Sequence, residues 1–288
     1  MGRDSDFFLR QERRSPILIL SMDFLPSFFY FLFGVVIGSF LNVVIFRYNT
    51  GLSFGKRSFC SSCGKKLHFY ELVPVLSFIF LRGRCYACKS LISPQYPIVE
   101  FMTGLVFFLL FKHDSNLAHF FYDALLWSTL IVIVVYDLRH KIIPDGPVYF
   151  FIALAIGRSF FFISPSLWGS VFVSLDFYAG VILALPFALI FLLSKGRLIG
   201  FGDAKLIFGL GSFLGLSLGA SGVILAFWIG AAYSFTILFI RPIFRRLNSS
   251  FKNLTMKSEI PFAPFLIGGA FAVFITGIEF LSLASFLG

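Results

Sequence analysis

The stretch FLPSFFYFLFGVVIGSFLNVVIF, residues Phe24 to Phe46, carries no charged side chain over 23 positions. At about 1.5 Å of rise per residue, a helix of that length covers the roughly 30 Å hydrocarbon core of a bilayer. Further apolar runs follow near Pro97 to Phe111, Leu117 to Tyr136, Pro147 to Ile163, Phe177 to Ser194, Leu206 to Leu218, Gly219 to Ile240 and Pro261 to Phe286. Eight spans are therefore expected, of which the second and sixth are short. The composition agrees: 58% of the 288 residues are hydrophobic and 13% charged, about half the usual charged share. A soluble domain of this length could not take so many apolar side chains out of water.

The formal charge of +10 would fit a nucleic-acid binder in another setting. In a polytopic membrane protein, Lys and Arg instead mark the loops kept in the cytoplasm, so no nucleic-acid partner is expected. Residues 47 to 96 hold eight bases, Arg47, Lys56, Arg57, Lys65, Lys66, Arg82, Arg84 and Lys89, and all four cysteines. If this segment is cytoplasmic, strict alternation adds Arg139, Lys141, Lys195, Arg197, Lys205, Arg241, Arg245, Arg246, Lys252 and Lys257 to the same side. That places 18 of the 24 bases there.

The discordant bases are the four in residues 1 to 22, an extension without the apolar core or cleavage site of a signal peptide. Translation from Met22 would remove them. The expected organisation is an extension at 1–22, a first span at 23–46, an inserted cytoplasmic domain at 47–96 and a membrane domain at 97–288. No internal repeat stands out.

Two CxxC knuckles, Cys60-x2-Cys63 and Cys85-x2-Cys88, are separated by 21 residues. Four thiolates at this spacing can close tetrahedrally on zinc, with redox chemistry or disulfides as the alternatives. A filled thiolate shell leaves no coordination position for catalysis, so the expected zinc is structural.

The second signal is a pair of acids near membrane depth, where an ionisable group is costly. Asp137 closes the run Leu130 to Tyr136, and Asp203 opens a helix in Gly200-Phe201-Gly202-Asp203-Ala204-Lys205. Two carboxyls brought close share a proton, one activating water while the other donates to a carbonyl, as in aspartyl proteases. Gly200 and Gly202 would let an extended substrate backbone approach. The plainer readings are a helix cap for Asp203 and a solvated interfacial acid for Asp137, and membrane acids also serve ion paths.

Glu100 and Asp123 are candidate buried partners for Arg158, or polar packing residues. Asp145 reads as a helix-start cap. The four histidines form no metal-ligand spacing, and neither a GxSxG elbow nor a strand-borne GxGxxG occurs. The spacings Gly34-x3-Gly38, Gly211-x3-Gly215 and Gly215-x3-Gly219 suggest close helix packing.

With these residues in view, the chain resembles the bacterial type IV prepilin leader peptidases, which cleave and then N-methylate pilin-like precursors. The resemblance rests on Gly38-Ser39-Phe40-Leu41-Asn42-Val43-Val44-Ile45-Phe46-Arg47 and on the segment Cys60 to Glu100. That segment includes Leu72-Val73-Pro74-Val75-Leu76-Ser77, Arg82-Gly83-Arg84-Cys85 and Tyr96-Pro97-Ile98-Val99-Glu100. Asp137 with Ile143-Pro144-Asp145, the GxGD of residues 200 to 203 with Lys205, and Ile260-Pro261-Phe262-Ala263-Pro264-Phe265 complete it.

The resemblance implies an all-α membrane bundle with a zinc-binding cytoplasmic domain after the first helix, in the bacterial cytoplasmic (inner) membrane. It gives Asp137 and Asp203 the catalytic roles, prepilin or pseudopilin precursors as partners, and S-adenosylmethionine as methyl donor. Gly83, Arg84 and Glu71 are candidate contacts for that donor, or turn and scaffold residues. The rival readings are a transporter using Asp137, Asp203 and Glu100 as an ion path, and a non-catalytic docking component of a secretion assembly. A transporter would show broken helices or repeat symmetry. The chain departs from the family's pattern after Arg47, where Tyr48-Asn49-Thr50-Gly51 stands in place of a Pro-containing turn.

Overall fold

The computed structural model describes residues 16–114, 116–162, 175–247 and 261–280. Most of the 1–22 extension lies outside them, so the expected start at Met22 is not addressed. Among the described residues the chain is helical, with no strand. The α-helices are α1 (Pro16–Arg47), α2 (Leu76–Phe80), α3 (Gln95–His113), α4 (Leu117–His140), α5 (Asp145–Phe162), α6 (Ala179–Ser194), α7 (Phe201–Leu247) and α8 (Ala263–Thr276). Four are long and apolar enough to cross a membrane: Phe24–Arg47 of α1, α3, α4 and Phe201–Ile237 of α7; α6 and α8 are shorter apolar helices. Each of the eight apolar runs in the sequence overlaps a helical segment among the described residues.

Two of those runs fall within α7, which is a hairpin. Gly215 has φ 79° and ψ −175°, a backbone region that side chains exclude. Residues eight apart in a straight helix are about 12 Å apart. Here a Cβ on Gly219 would lie 3.4 Å from Gly211 Cα, so the two arms fold back on each other. The glycines at 211, 215 and 219 therefore serve the close packing read from their spacing, and the reversal falls at Gly215 rather than at the expected 218/219 boundary. Asp176, just ahead of α6, accepts the Leu216 amide at 2.8 Å and so caps the second arm. The break is a turn between antiparallel arms, unlike the discontinuous helices of transporters.

The chain divides into two compact units, Met1–Phe121 and Tyr122–Gly288. In the first, α1 packs on α3. Gly34 and Gly38 meet Thr103, Phe107 and Glu100, while Gly104 receives Phe31 and Val35, so small residues on both helices bring the backbones together. Asn42 Nδ2 donates to the Tyr96 carbonyl at 3.1 Å, which fixes the antiparallel register.

The turn after α1 forms without proline. Asn49 and Gly51 adopt φ 58° and 72°, and Thr50 Oγ1 donates to the Arg47 carbonyl. The buried Arg47 guanidinium donates to the carbonyls of Ser53, Phe54 and Arg57. Each of its bonds is charge-assisted, and together they hold the loop that leads to the cysteines.

In the second unit α5, α6 and α8 pack on α7, while the Trp127 ring of α4 packs edge-on against Phe213 and Phe271 and at a tilt against Phe274. The buried Asp123 pairs with Arg158, whose Nε and Nη2 donate to Oδ1 at 3.0 Å and Oδ2 at 3.4 Å. Arg158 also lies over the Phe213 ring. Of the two acids considered for Arg158, Asp123 is the partner; Glu100 has a different role in the first unit.

Candidate active site and metal centre

Asp137 occupies the last turn of α4, and its side chain is turned inward, 4% exposed. Lys141 ends that helix with φ 55° while its amide bonds the Asp137 carbonyl at 2.7 Å. One Asp137 carboxylate oxygen accepts the backbone N–H of Ala263, in the first turn of α8. The carboxylate thus meets a helix N-terminus, where unpaired amides and the positive end of the dipole are concentrated. The other oxygen, Oδ2, is buried and accepts no hydrogen bond among the described residues. A buried acceptor left in this state is costly, and so calls for an explanation such as a chemical role.

Asp203 is the third residue of α7, and its carboxylate folds back to accept the Gly200 N–H. The capping reading is therefore correct in kind, with Asp203 at the third helical position rather than at the cap itself. Asp203 also lies within electrostatic reach of Asp137. The two acids that the sequence pairs are thus near enough for the charge of one to be felt at the other.

The glycines of the GxGD segment divide their roles. A Cβ on Gly202 would sit 2.9 Å from Ile143 Cβ, too close for two carbons, so Gly202 lets the loop after Asp137 close onto the start of α7. This corrects the expectation that Gly202 makes room for substrate: its open side is taken by Ile143. Gly200 meets only Asp203 Oδ2, at 3.5 Å, and Gly202 N, at 4.0 Å. Two residues beyond Asp203, the Lys205 ammonium pairs with Asp145 at the head of α5 and rests over the Tyr149 and Phe201 rings. Asp145 is thus a helix-start acid that also ties α5 to α7.

The cysteines form a second site, in the first unit. Each knuckle closes by the same bonds twenty-five residues apart. Cys60 N–H donates to the Lys65 carbonyl and Gly64 N–H to Cys60; Cys85 N–H donates to Ser90 and Lys89 N–H to Cys85. Bridges pair Phe59 with Lys66 and Arg84 with Leu91, and Gly64 and Lys89 both turn through positive φ. This small structural repeat escaped the sequence reading because little beyond the cysteines is shared.

All four Sγ atoms lie within 4.8 Å of one another, and Cys60 and Cys88 are 3.9 Å apart. Four sulfurs placed tetrahedrally at 2.3 Å from zinc would be about 3.8 Å apart. The Cys63 and Ser62 amides hold the Cys60 thiol down to about 6. Although the Lys65 amide pulls the other way, desolvation and the Cys88 and Cys60 sulfurs push Cys63 up to about 11. Thiolates that oppose one another's charge in so small a volume are what a divalent cation neutralises. The cluster can hold a metal ion.

Of the proposed methyl-donor contacts, Glu71 is buried, accepts the His68 N–H at 2.8 Å and pairs with Lys65 at 3.6 Å. Gly83 turns at φ 66° under Phe78, and its carbonyl accepts the Ile92 amide. Arg84 is exposed.

Residues 32–113 match the model of the bacterial peptidase A24 N-terminal domain, and residues 124–235 match that of the type IV leader peptidase family. The chain is 30% identical over 259 residues to a prepilin leader peptidase/N-methyltransferase of Bacillus subtilis (strain 168), covering 88% of this chain and 95% of that protein. A protein of the same name from Dichelobacter nodosus is 28% identical over 284 residues, covering 88% and 93% of the two chains. One from Myxococcus xanthus (strain DK1622) is 42% identical over 122 residues, 41% of this chain and 36% of the relative. No solved structure matches the chain significantly.

Proposed function

Because the chain belongs to the type IV leader peptidase family, we propose that it is a membrane aspartic endopeptidase that removes the basic leader of prepilin or pseudopilin precursors. Cleavage follows a Gly at the cytoplasmic edge of the bacterial inner membrane, and the same enzyme N-methylates the new amine. The observation that carries this reading is the buried Asp137, with Oδ2 unengaged and Asp203 within reach of its charge.

In the reaction, the ionised member of the pair takes a proton from water as the water oxygen bonds to the Gly carbonyl carbon. The protonated member gives its proton to the carbonyl oxygen. Collapse of the tetrahedral intermediate breaks the C–N bond, and the proton taken from water passes to the leaving amine. The Ala263 amide holds Asp137 in place through this cycle. The Gly202–Ile143 contact keeps the two acids' segments together.

We assign zinc to Cys60, Cys63, Cys85 and Cys88 in a structural role, since four thiolates complete its shell. The methyl group comes from S-adenosylmethionine. Arg84 is the strongest of the three candidate contacts, because Glu71 and Gly83 are already engaged in the scaffold. The organisation we adopt keeps residues 47–96 as the inserted cytoplasmic domain, supported by their bases. The test is to incubate purified full-length protein in detergent with a synthetic leader-bearing precursor and labelled methyl donor. Cleavage and labelling together are expected, and an intact leader with no methyl label incorporated would refute the reading.

A further inference from the structure

The segment Phe69-Tyr70-Glu71-Leu72-Val73-Pro74-Val75-Leu76-Ser77-Phe78-Ile79-Phe80 presents an apolar surface that the protein leaves open. It comprises a 3-10 turn, Phe69–Leu72, packed against α2. Phe69 and Phe80 are 84% and 80% exposed, and Leu72, Leu76 and Ile79 are exposed as well. Leu76, Ile79 and Phe80 share one face of α2 by their i, i+3, i+4 spacing. A surface of this kind on a soluble face marks a binding site or an aggregation liability.

Its height along the spans identifies what covers it. The Val75 amide donates to Glu100 Oε2 at 2.7 Å. Glu100 is buried, and its Cα faces Gly38 of α1 so closely that a Cβ on Gly38 would come within 2.7 Å. Glu100 stands five residues into α3, about 7.5 Å along its axis, and Gly38 stands nine residues inside the end of α1, about 13.5 Å. Val75 is therefore tied to a point within both spans, below their ends. Its φ of 61° is a strained value for a β-branched residue, and the Glu100 bond holds the chain there.

The charges around the segment are one-sided. Residues 47–96 contain eight bases and a single acid, Glu71, which is buried and paired. Lys66 and Arg82 flank the apolar run, as basic residues do where long side chains reach from an apolar surface to phosphate groups.

We propose that residues 69–80 are an interfacial wedge, with Phe69, Leu72, Leu76, Ile79 and Phe80 inserted among the acyl chains beside α1 and α3. Lys66 and Arg82 lie on anionic lipid headgroups. The inserted domain is thus seated in the membrane by its own surface as well as by the two helices that bracket it.

The test places an environment-sensitive fluorescent amino acid at Phe80 of the full-length protein, in vesicles of mixed zwitterionic and anionic lipid. A second protein carries it at Gly55, which has open space around it. Lipid brominated in the upper acyl chain should quench position 80 at least about twofold more than position 55, and aqueous iodide should do the reverse. The same probe at Leu76, with zinc content measured to show the domain intact, guards against misfolding at position 80. Glu100→Ala should weaken the bromine quenching, while Glu100→Gln, which keeps an acceptor, should preserve it. Iodide quenching of position 80 equal to that of position 55 would overturn the proposal. So would shielding of position 80 that appears only on adding a precursor peptide, since the face would then belong to a protein partner.

Discussion

Replacing Gly202 with alanine should disable cleavage without touching either acid. The added Cβ would stand 2.9 Å from Ile143 Cβ, whereas carbon atoms at rest are about 3.5–4.0 Å apart, so the two segments must part by up to about 1 Å. Ile143 Cγ1 and Cδ1, at 3.4 and 3.3 Å, can rotate away, but Cβ is bonded to the main chain and cannot. The separation therefore passes to the loop after Asp137, and a misplacement of about 1 Å costs about a hundredfold in rate. The assay is kcat/KM for a synthetic precursor at matched amounts of purified protein. Ile143→Gly in the Gly202→Ala background removes the obstructing atom and should restore most of the loss. Ile143→Ala keeps that atom and should not. Equal rescue by both, or near-native cleavage by Gly202→Ala alone, would refute the argument.

Asp137→Asn and Asp203→Asn should each lower cleavage by several orders of magnitude, with the double mutant scarcely worse because the pair works as one unit. Methylation of a pre-cleaved peptide should survive in both, and near-native cleavage by Asp203→Asn would show the aspartyl mechanism to be wrong. Metal analysis under reducing conditions should find about one zinc per chain, and absence of zinc together with native disulfides would contradict the assignment. Gly215→Ala should destabilise the protein by about 1–3 kcal/mol in thermal melts, because φ 79° excludes a side chain and its Cβ would meet Asp176 Oδ1 at 2.8 Å. Asp145→Asn should keep most activity, since an ion pair whose carboxylate is 68% exposed contributes only about 0–1 kcal/mol; a loss as large as that of Asp137→Asn would give Asp145 a direct part in the chemistry.

Periodic and compositional features were legible from the residues alone. The uncharged run from Phe24 to Phe46 announces a span, and the cysteine spacing announces a tetrahedral cluster, because both patterns are local. Asp137 and Asp203 could be singled out and paired as acids at the ends of apolar runs, but with sixty-five residues between them only the resemblance favoured the catalytic pair over a cap or an ion path. What stayed hidden depends on backbone groups or on distant neighbours. Nothing in the sequence marks the Ala263 amide as the partner of Asp137, or Val75 as that of Glu100. Asp176 gave no signal, because its role exists only once Gly215 reverses α7 beside it. Hydropathy placed that reversal three residues late, since Leu216 to Leu218 are as apolar as the arms they join.

The amide that reaches Asp137 belongs to α8, the last helix described, so the surroundings of Asp137 are assembled from segments more than 120 positions apart in the sequence. Asp137 and Asp203 are both translated before Ala263. Until α8 is in place, Asp137 lacks the Ala263 donor. If the two acids are the catalytic pair proposed above, cleavage should appear only once α8 is in place.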